Sequence, residues 1–206
     1  GFNVGILDAD IYGPSIPIMF DITEARPLSV TIDGKNKMKP VENYGVKILS
    51  IGFFTKPDQA VIWRGPMASK ALNQMIFDAD WGDLDFLLVD LPPGTGDIPL
   101  TLAQTIPITG ILVVTTPQDV ASNVAVKAIG MFDKLNVPLL GVVENMSYFE
   151  CPDCSNKHYV FGKGGAQKIS EKHNIPFLGE VPLNSGIMEG SDSGKPVMMT
   201  DSESPS

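Results

Sequence analysis

The chain has 206 residues, 43% of them hydrophobic and 19% charged, which is material for a sizeable core and excludes intrinsic disorder. Its 15 Lys and Arg against 24 Asp and Glu leave a formal net charge of −9. That is the wrong sign for a dedicated nucleic-acid binder, which displaces counterions with a basic footprint. No apolar run approaches the ~20 residues of a membrane span, and two cysteines, Cys151 and Cys154, cannot staple a domain of this size.

The chain opens Gly1-Phe2-Asn3, without Met, and enters a strand-like run at once, as a piece of a longer protein would. The run 3–7 predicts the first strand. Residues 35–55, with an apolar stretch at 46–51 ahead of Gly52, predict a small β-hairpin excursion. Further along, 65–77 reads as helix, 86–89 as strand, 98–105 as helix and 111–115 as strand. Helix 120–135, strand 139–143, helix 165–173 and strand 177–181 follow, and the tail 201–206 carries no pattern. The strands are almost continuously apolar rather than alternating, which suits parallel strands covered on both faces. The expectation is a single α/β domain over residues 1–206, a mostly parallel sheet with helices on both faces.

Ligands of such sheets bind at the carboxyl ends of the strands. Four of the five segments just past a strand contain Asp or Glu: 8–15, 90–97, 116–119 and 144–147. Asp90 ends an apolar strand and has the form of a Walker B carboxylate, which accepts hydrogen bonds from Mg²⁺-bound water; a plain capping Asp is the alternative. The loop Pro92-Pro93-Gly94-Thr95-Gly96-Asp97 joins stiff prolines to glycines that let backbone N–H groups approach an anion, as a phosphate-sensing switch requires. Asp8 and Asp10 share one side if the extended backbone continues, one for a metal shell and one to orient water; the alternative is an Asx turn into Gly13-Pro14. Cys151-Pro152-Asp153-Cys154 supplies two thiolates where a closed zinc or cluster site needs four. A shared metal in a dimer, a single-chain zinc site with His158 and His173, a redox pair and inert thiols all remain open on spacing alone. Lys163-Gly164-Gly165 reads as a glycine turn into the following helix.

The segments 7–15, 63–67 (Trp-Arg-Gly-Pro-Met), 90–97, 144–147 and 151–154 together resemble the Mrp/ApbC family, P-loop ATPases related to MinD that carry iron–sulfur clusters. The resemblance covers the whole chain, in order. It implies ATP and Mg²⁺ binding, ATP hydrolysis, a homodimer bridged by a 4Fe–4S cluster on Cys151 and Cys154, and apo iron–sulfur proteins as recipients. It implies further that Asp10 belongs to the first switch, Asp90 to Walker B and Gly94 to the second switch. Asn145 then contacts the adenine, and Pro182 lies near the base. Asp8, Asp10, Asp90 and Asn145 are expected around one cleft. The family's Walker A loop and its last helix have no counterpart here, so the chain reads as truncated at both ends and as a poor ATPase by itself. A bacterial cytoplasm, or alternatively a mitochondrial matrix, is the expected setting, with no nucleic-acid or membrane partner. Arg64 is left without a role. A positioning ATPase of the MinD/ParA kind has no use for the cysteine pair, and a zinc-bridged structural dimer has none for the carboxylate loops.

Overall fold

A computed structural model describes residues 1–54 and 65–200. They fall into two compact units, one of residues 1–101 with the segment from Glu189 onward, the other of residues 102–188. Trp63, Arg64 and the tail 201–206 lie outside the described residues.

In the first unit, β1 (Val4–Asp8) runs parallel to both β5 (Val46–Ser50) and β6 (Phe86–Asp90), and β4 (Val41–Asn43) adds antiparallel to β5. The sheet order is therefore β4-β5-β1-β6. A separate two-stranded ribbon is made by β2 (Leu28–Ile32) and β3 (Lys35–Lys39). The predicted excursion over 35–55 is thus corrected. Tyr44 and Gly45, both at positive φ, turn β4 into β5 as a hairpin, but the far edge of β5 pairs with β1 and makes it a strand of the main sheet. Ile22, Ile48 and Phe53 centre one apolar cluster, against which Ile6, the short helix α1 (Ile16–Met19) and Val41 pack. Helix α2 (Gly65–Phe77) buries Ala68, Leu72 and Met75, spaced i, i+4, i+7 on one face. Trp81 closes its end, donating its indole N–H to the Met75 carbonyl at 3.1 Å.

Helix α3 (Asp97–Thr105) leads into the second unit. There β8 (Leu139–Glu144) lies between β7 (Ile111–Thr115) and β11 (Phe177–Glu180), all parallel. Helices α4 (Asp119–Lys134) and α5 (Gly165–His173) touch each other and the sheet, and Ala125, Ile129, Ala166 and Ile169 meet Val113 and Val142 in one cluster. Between β8 and α5 the chain leaves the sheet to form a small antiparallel ribbon, β9 (Phe149–Glu150) with β10 (Lys157–His158). Helices α6 (Ser185–Asp192) and α7 (Val197–Thr200) end the described chain. No helix among the described residues is long and apolar enough to cross a membrane.

Candidate functional site

The carboxyl ends of the first unit's parallel strands carry a compact acidic group. Asp8, Ser50 and Asp90 stand in register on three adjacent strands, so their side chains leave the sheet at one level. Asp8 is fully buried. Its Oδ2 accepts the Ser50 hydroxyl at 2.8 Å, and its Oδ1 accepts the Asp10 N–H at 3.2 Å. Ser50 in turn accepts the Gly52 N–H at 3.0 Å. Asp10 folds the next loop around itself, its Oδ1 accepting the N–H groups of Tyr12 and Gly13 at 3.0 and 3.3 Å. Asp10 therefore makes the Asx turn that stood as the alternative reading, while Asp8 stays on the strand end.

Burial raises the Asp8 pKa to about 6, with a smaller push from the Asp90 charge, against the lowering effect of the Ser50 hydrogen bond. The Asp90 carboxyl is raised too, by desolvation first and by the charge of Asp10 second. Carboxylate oxygens are the donor type that Mg²⁺ takes. No three acids among the described residues converge to hold an ion by themselves, so a cation here would draw most of its ligands from nucleotide and water. That chemistry fits the divalent cation of a nucleotide complex. In the loop that follows β6, Gly94 sits at φ +92°, and a Cβ there would meet nothing within 4 Å. At the far end of the same loop Asp97 opens α3, and a Cβ on Gly65, the first residue of α2, would lie 2.7 Å from an Asp97 carboxylate oxygen. Only glycine fits there without a shift.

In the second unit the equivalent strand ends are Thr115 and Glu144, also in register. Asn145 donates its N–H to the Thr115 carbonyl at 2.7 Å and accepts the Met146 N–H on its side-chain oxygen at 2.9 Å. Pro182 lies between two residues hydrogen-bonded back to this segment: Val181 N–H to the Glu144 carbonyl at 2.8 Å, and Leu183 N–H to that of Tyr148 at 2.7 Å. Asn145 and Pro182 thus belong to one local frame, and Asp8, Asp10 and Asp90 to another.

Cys151 and Cys154 are free, the first half-buried and the second exposed, at the turn of the β9–β10 ribbon. The Cys151 pKa is lowered, chiefly by the backbone N–H groups of Asp153 and Cys154 and then by the Cys154 thiol. Among the described residues no group of three or more His, Cys, Asp and Glu is placed to hold a metal, which leaves the single-chain zinc alternative with His158 and His173 without support. His158 is exposed, and the His173 Nε2 is buried without a partner.

Two residues with central places here were not singled out in the sequence. Ser50 shows there only as a hydroxyl closing an apolar run, and Glu144 only as one acid in a loop.

A family model described as NUBPL iron-transfer P-loop NTPase, of the ParA group, matches residues 1–206. The chain belongs to this family. Among its relatives, an iron–sulfur cluster carrier protein of Aquifex aeolicus is 49% identical over 205 residues, 99% of this chain and 56% of that protein. The iron–sulfur cluster transfer protein NUBPL of Dictyostelium discoideum is 48% identical over 204 residues, covering 98% of this chain and 62% of that protein. The chain therefore spans little more than half the length of these curated relatives. Among solved structures, a nucleotide-binding protein of Archaeoglobus fulgidus in complex with ADP is 38% identical, with a TM-score of 0.81 over 98% of this chain and 77% of that one. The cell division ATPase MinD of Pyrococcus furiosus, 18% identical, matches 99% of this chain and 80% of its own with a TM-score of 0.64, a likeness of fold alone. As a member of the NUBPL family the chain has the MinD-like P-loop NTPase fold, an α/β architecture with a parallel sheet.

Proposed function

We propose that the whole protein is an ATP-dependent carrier that receives a 4Fe–4S cluster on Cys151 and Cys154 and delivers it to apo iron–sulfur proteins. The observation that carries this reading is the free cysteine pair, Cys154 exposed and Cys151 half-buried with its pKa lowered, in a chain of an iron-transfer family. Two thiolates fill half of a four-ligand site, and a second copy related by a two-fold axis supplies the other half with no new residue type. A cluster held by so few groups at a surface suits transfer better than permanent residence.

In this reading the acidic strand ends of the first unit serve the nucleotide. Bound Mg²⁺–ATP supplies a hydrolysable phosphoanhydride and a cation to neutralise phosphate charge. Asp90 would accept hydrogen bonds from water bound to the cation, Asp8 would support it from the buried strand end, and Asp10 would orient the attacking water. Gly94 lets the loop 92–97 approach the terminal phosphate, and Asn145 with Pro182 holds the base. The whole protein works as a homodimer in a bacterial cytoplasm or a mitochondrial matrix. The 206 residues alone hydrolyse ATP poorly, because the family's Walker A lysine is not among them.

The test is anaerobic reconstitution of the full-length protein with iron and sulfide, followed by sizing and metal counting, beside a Cys151→Ala/Cys154→Ala variant. About one 4Fe–4S cluster per dimer, absent from the variant, is expected. A full cluster on a monomer, or equal iron in the variant, would overturn the shared site. Zinc retention with no iron uptake would favour a structural bridge instead.

A further inference from the structure

The cysteine ribbon is short: two residues per strand, paired Glu150 with Lys157 and Phe149 with His158. Its turn is tied by the Cys151 N–H to the Asn156 carbonyl at 3.0 Å and the Ser155 N–H to the Cys151 carbonyl at 2.8 Å. Above these, Tyr148 and Tyr159 face one another at 6.0 Å, and the Lys157 ammonium sits 3.8 Å from the Tyr148 ring centre. A two-stranded ribbon of this size does not fix its own direction in water. Something at its root must.

At that root is Glu144, a carboxylate with no solvent exposure. One oxygen accepts the Ser147 hydroxyl at 2.7 Å, on the outgoing side of the ribbon, and the Gly164 N–H at 3.4 Å, on the returning side. The other accepts the Ala166 N–H at 2.7 Å, in the first turn of α5. Helix α5 has no acidic residue in its first turn and no side-chain cap from Gly164. Glu144 supplies that cap from β8, 22 residues earlier in the chain. The three groups that hydrogen-bond the carboxyl group are all donors, so both its oxygens are partnered within the protein. The same arrangement fills the anion site at the α5 N-terminus, where the Lys163-Gly164-Gly165 turn would otherwise present its N–H groups.

We propose that Glu144 is the positioning residue of the cysteine pair: its carboxylate locks the two ends of the 145–163 excursion together and so sets how Cys151 and Cys154 are presented to a shared metal. This rests on the reading that those cysteines are ligands. Glu144 touches neither sulfur; it acts through the root of the ribbon.

The experiment compares wild-type full-length protein with Glu144→Gln, Glu144→Ala and Ser147→Ala. A glutamine retains the two short bonds, accepting from Ala166 and donating to the Ser147 oxygen, whereas alanine removes all three. Two quantities are read: the rate at which a reconstituted cluster loses iron to a chelator, and amide hydrogen exchange along the metal-free chain. Glu144→Ala is expected to lose iron about 10-fold faster, the low end of the effect of removing a group bonded directly to a metal ligand, because Glu144 acts one step further out. Exchange should rise from 147 to 166 while β7 and β8 stay protected, Glu144→Gln should lie near wild type and Ser147→Ala between. If Glu144→Ala fails to fold, Ser147→Ala and Glu144→Gln carry the comparison. Wild-type iron loss in every folded variant, or exchange rising equally in β7 and β8, would overturn the proposal, the latter by reducing Glu144 to a general stabiliser. If wild-type protein takes no cluster, the carrier reading fails, and the exchange pattern still decides whether Glu144 holds the ribbon.

Discussion

Asp8 couples the fold to the chemistry proposed for it, and the two make opposite demands. Its pKa of about 6, against an ordinary value of 3.8, means that the folded chain binds a proton more readily there than the unfolded one. Stability is therefore greatest below the unfolded pKa and declines as pH rises from about 4 through about 6, as the carboxyl becomes a buried anion. Asp8→Asn should abolish most of that decline and raise stability at pH 7 by about 2 kcal/mol, read by urea unfolding across pH 4 to 8. Cation binding needs the ionised form, so nucleotide hydrolysis by the whole protein should fall as pH drops through about 6, and fall further in the same variant. A wild-type stability that is flat between pH 4 and 6 would refute the argument. Ser50 moderates the conflict, because its hydroxyl favours the anion; Ser50→Ala should shift the hydrolysis profile to higher pH.

Among the elements, α5 shows how close approach constrains sequence. A Cβ on Gly165 would run into the backbone of Pro117, the carbonyl oxygen first, and backbone cannot yield as a side chain can. Gly165→Ala should displace the start of α5, lengthen the Glu144–Ala166 bond and cost about 1–3 kcal/mol in urea unfolding. An unfolding midpoint equal to wild type would show that the helix start has room to move. The helix itself was plain in the sequence: 65–77, 111–115 and 165–173 agree with α2, β7 and α5 at both ends. Apolar spacing and flanking glycines are local signals, and these elements are locally determined. The run 46–51 was misplaced because its hairpin with β4 is local while its pairing with β1 spans some forty residues, which no window reports. The same limit hid Ser50 and Glu144. Asp90 and the cysteine pair stood out as candidates because their neighbours in sequence carry the pattern, whereas Ser50 enters only through strand register and Glu144 only through the Ala166 N–H, 22 residues on.

At the scale of the molecule, parallel strands ordinarily have both faces covered. In the second unit α4 and α5 cover one face, while Leu112, Val114 and Leu140 stand 51–57% exposed on the other; in the first unit Phe86 and Leu88 of β6 are 51% and 55% exposed. Patches of this kind bind apolar probes. The 206-residue chain should enhance the fluorescence of an anilinonaphthalene dye, and a Leu112→Gln/Leu140→Gln variant should lower that signal severalfold with little change in melting temperature. An unchanged signal would place the dye elsewhere. The ribbon of the cysteines stands apart from this problem, because its two ends are joined where it leaves the sheet. Because Glu144 joins the two ends at the root, insertions between Tyr148 and Lys163 should leave β8 and α5 in place, which amide exchange in those elements would check. The excursion is in that sense a cassette, its length and surface separable from the strand and helix that carry it.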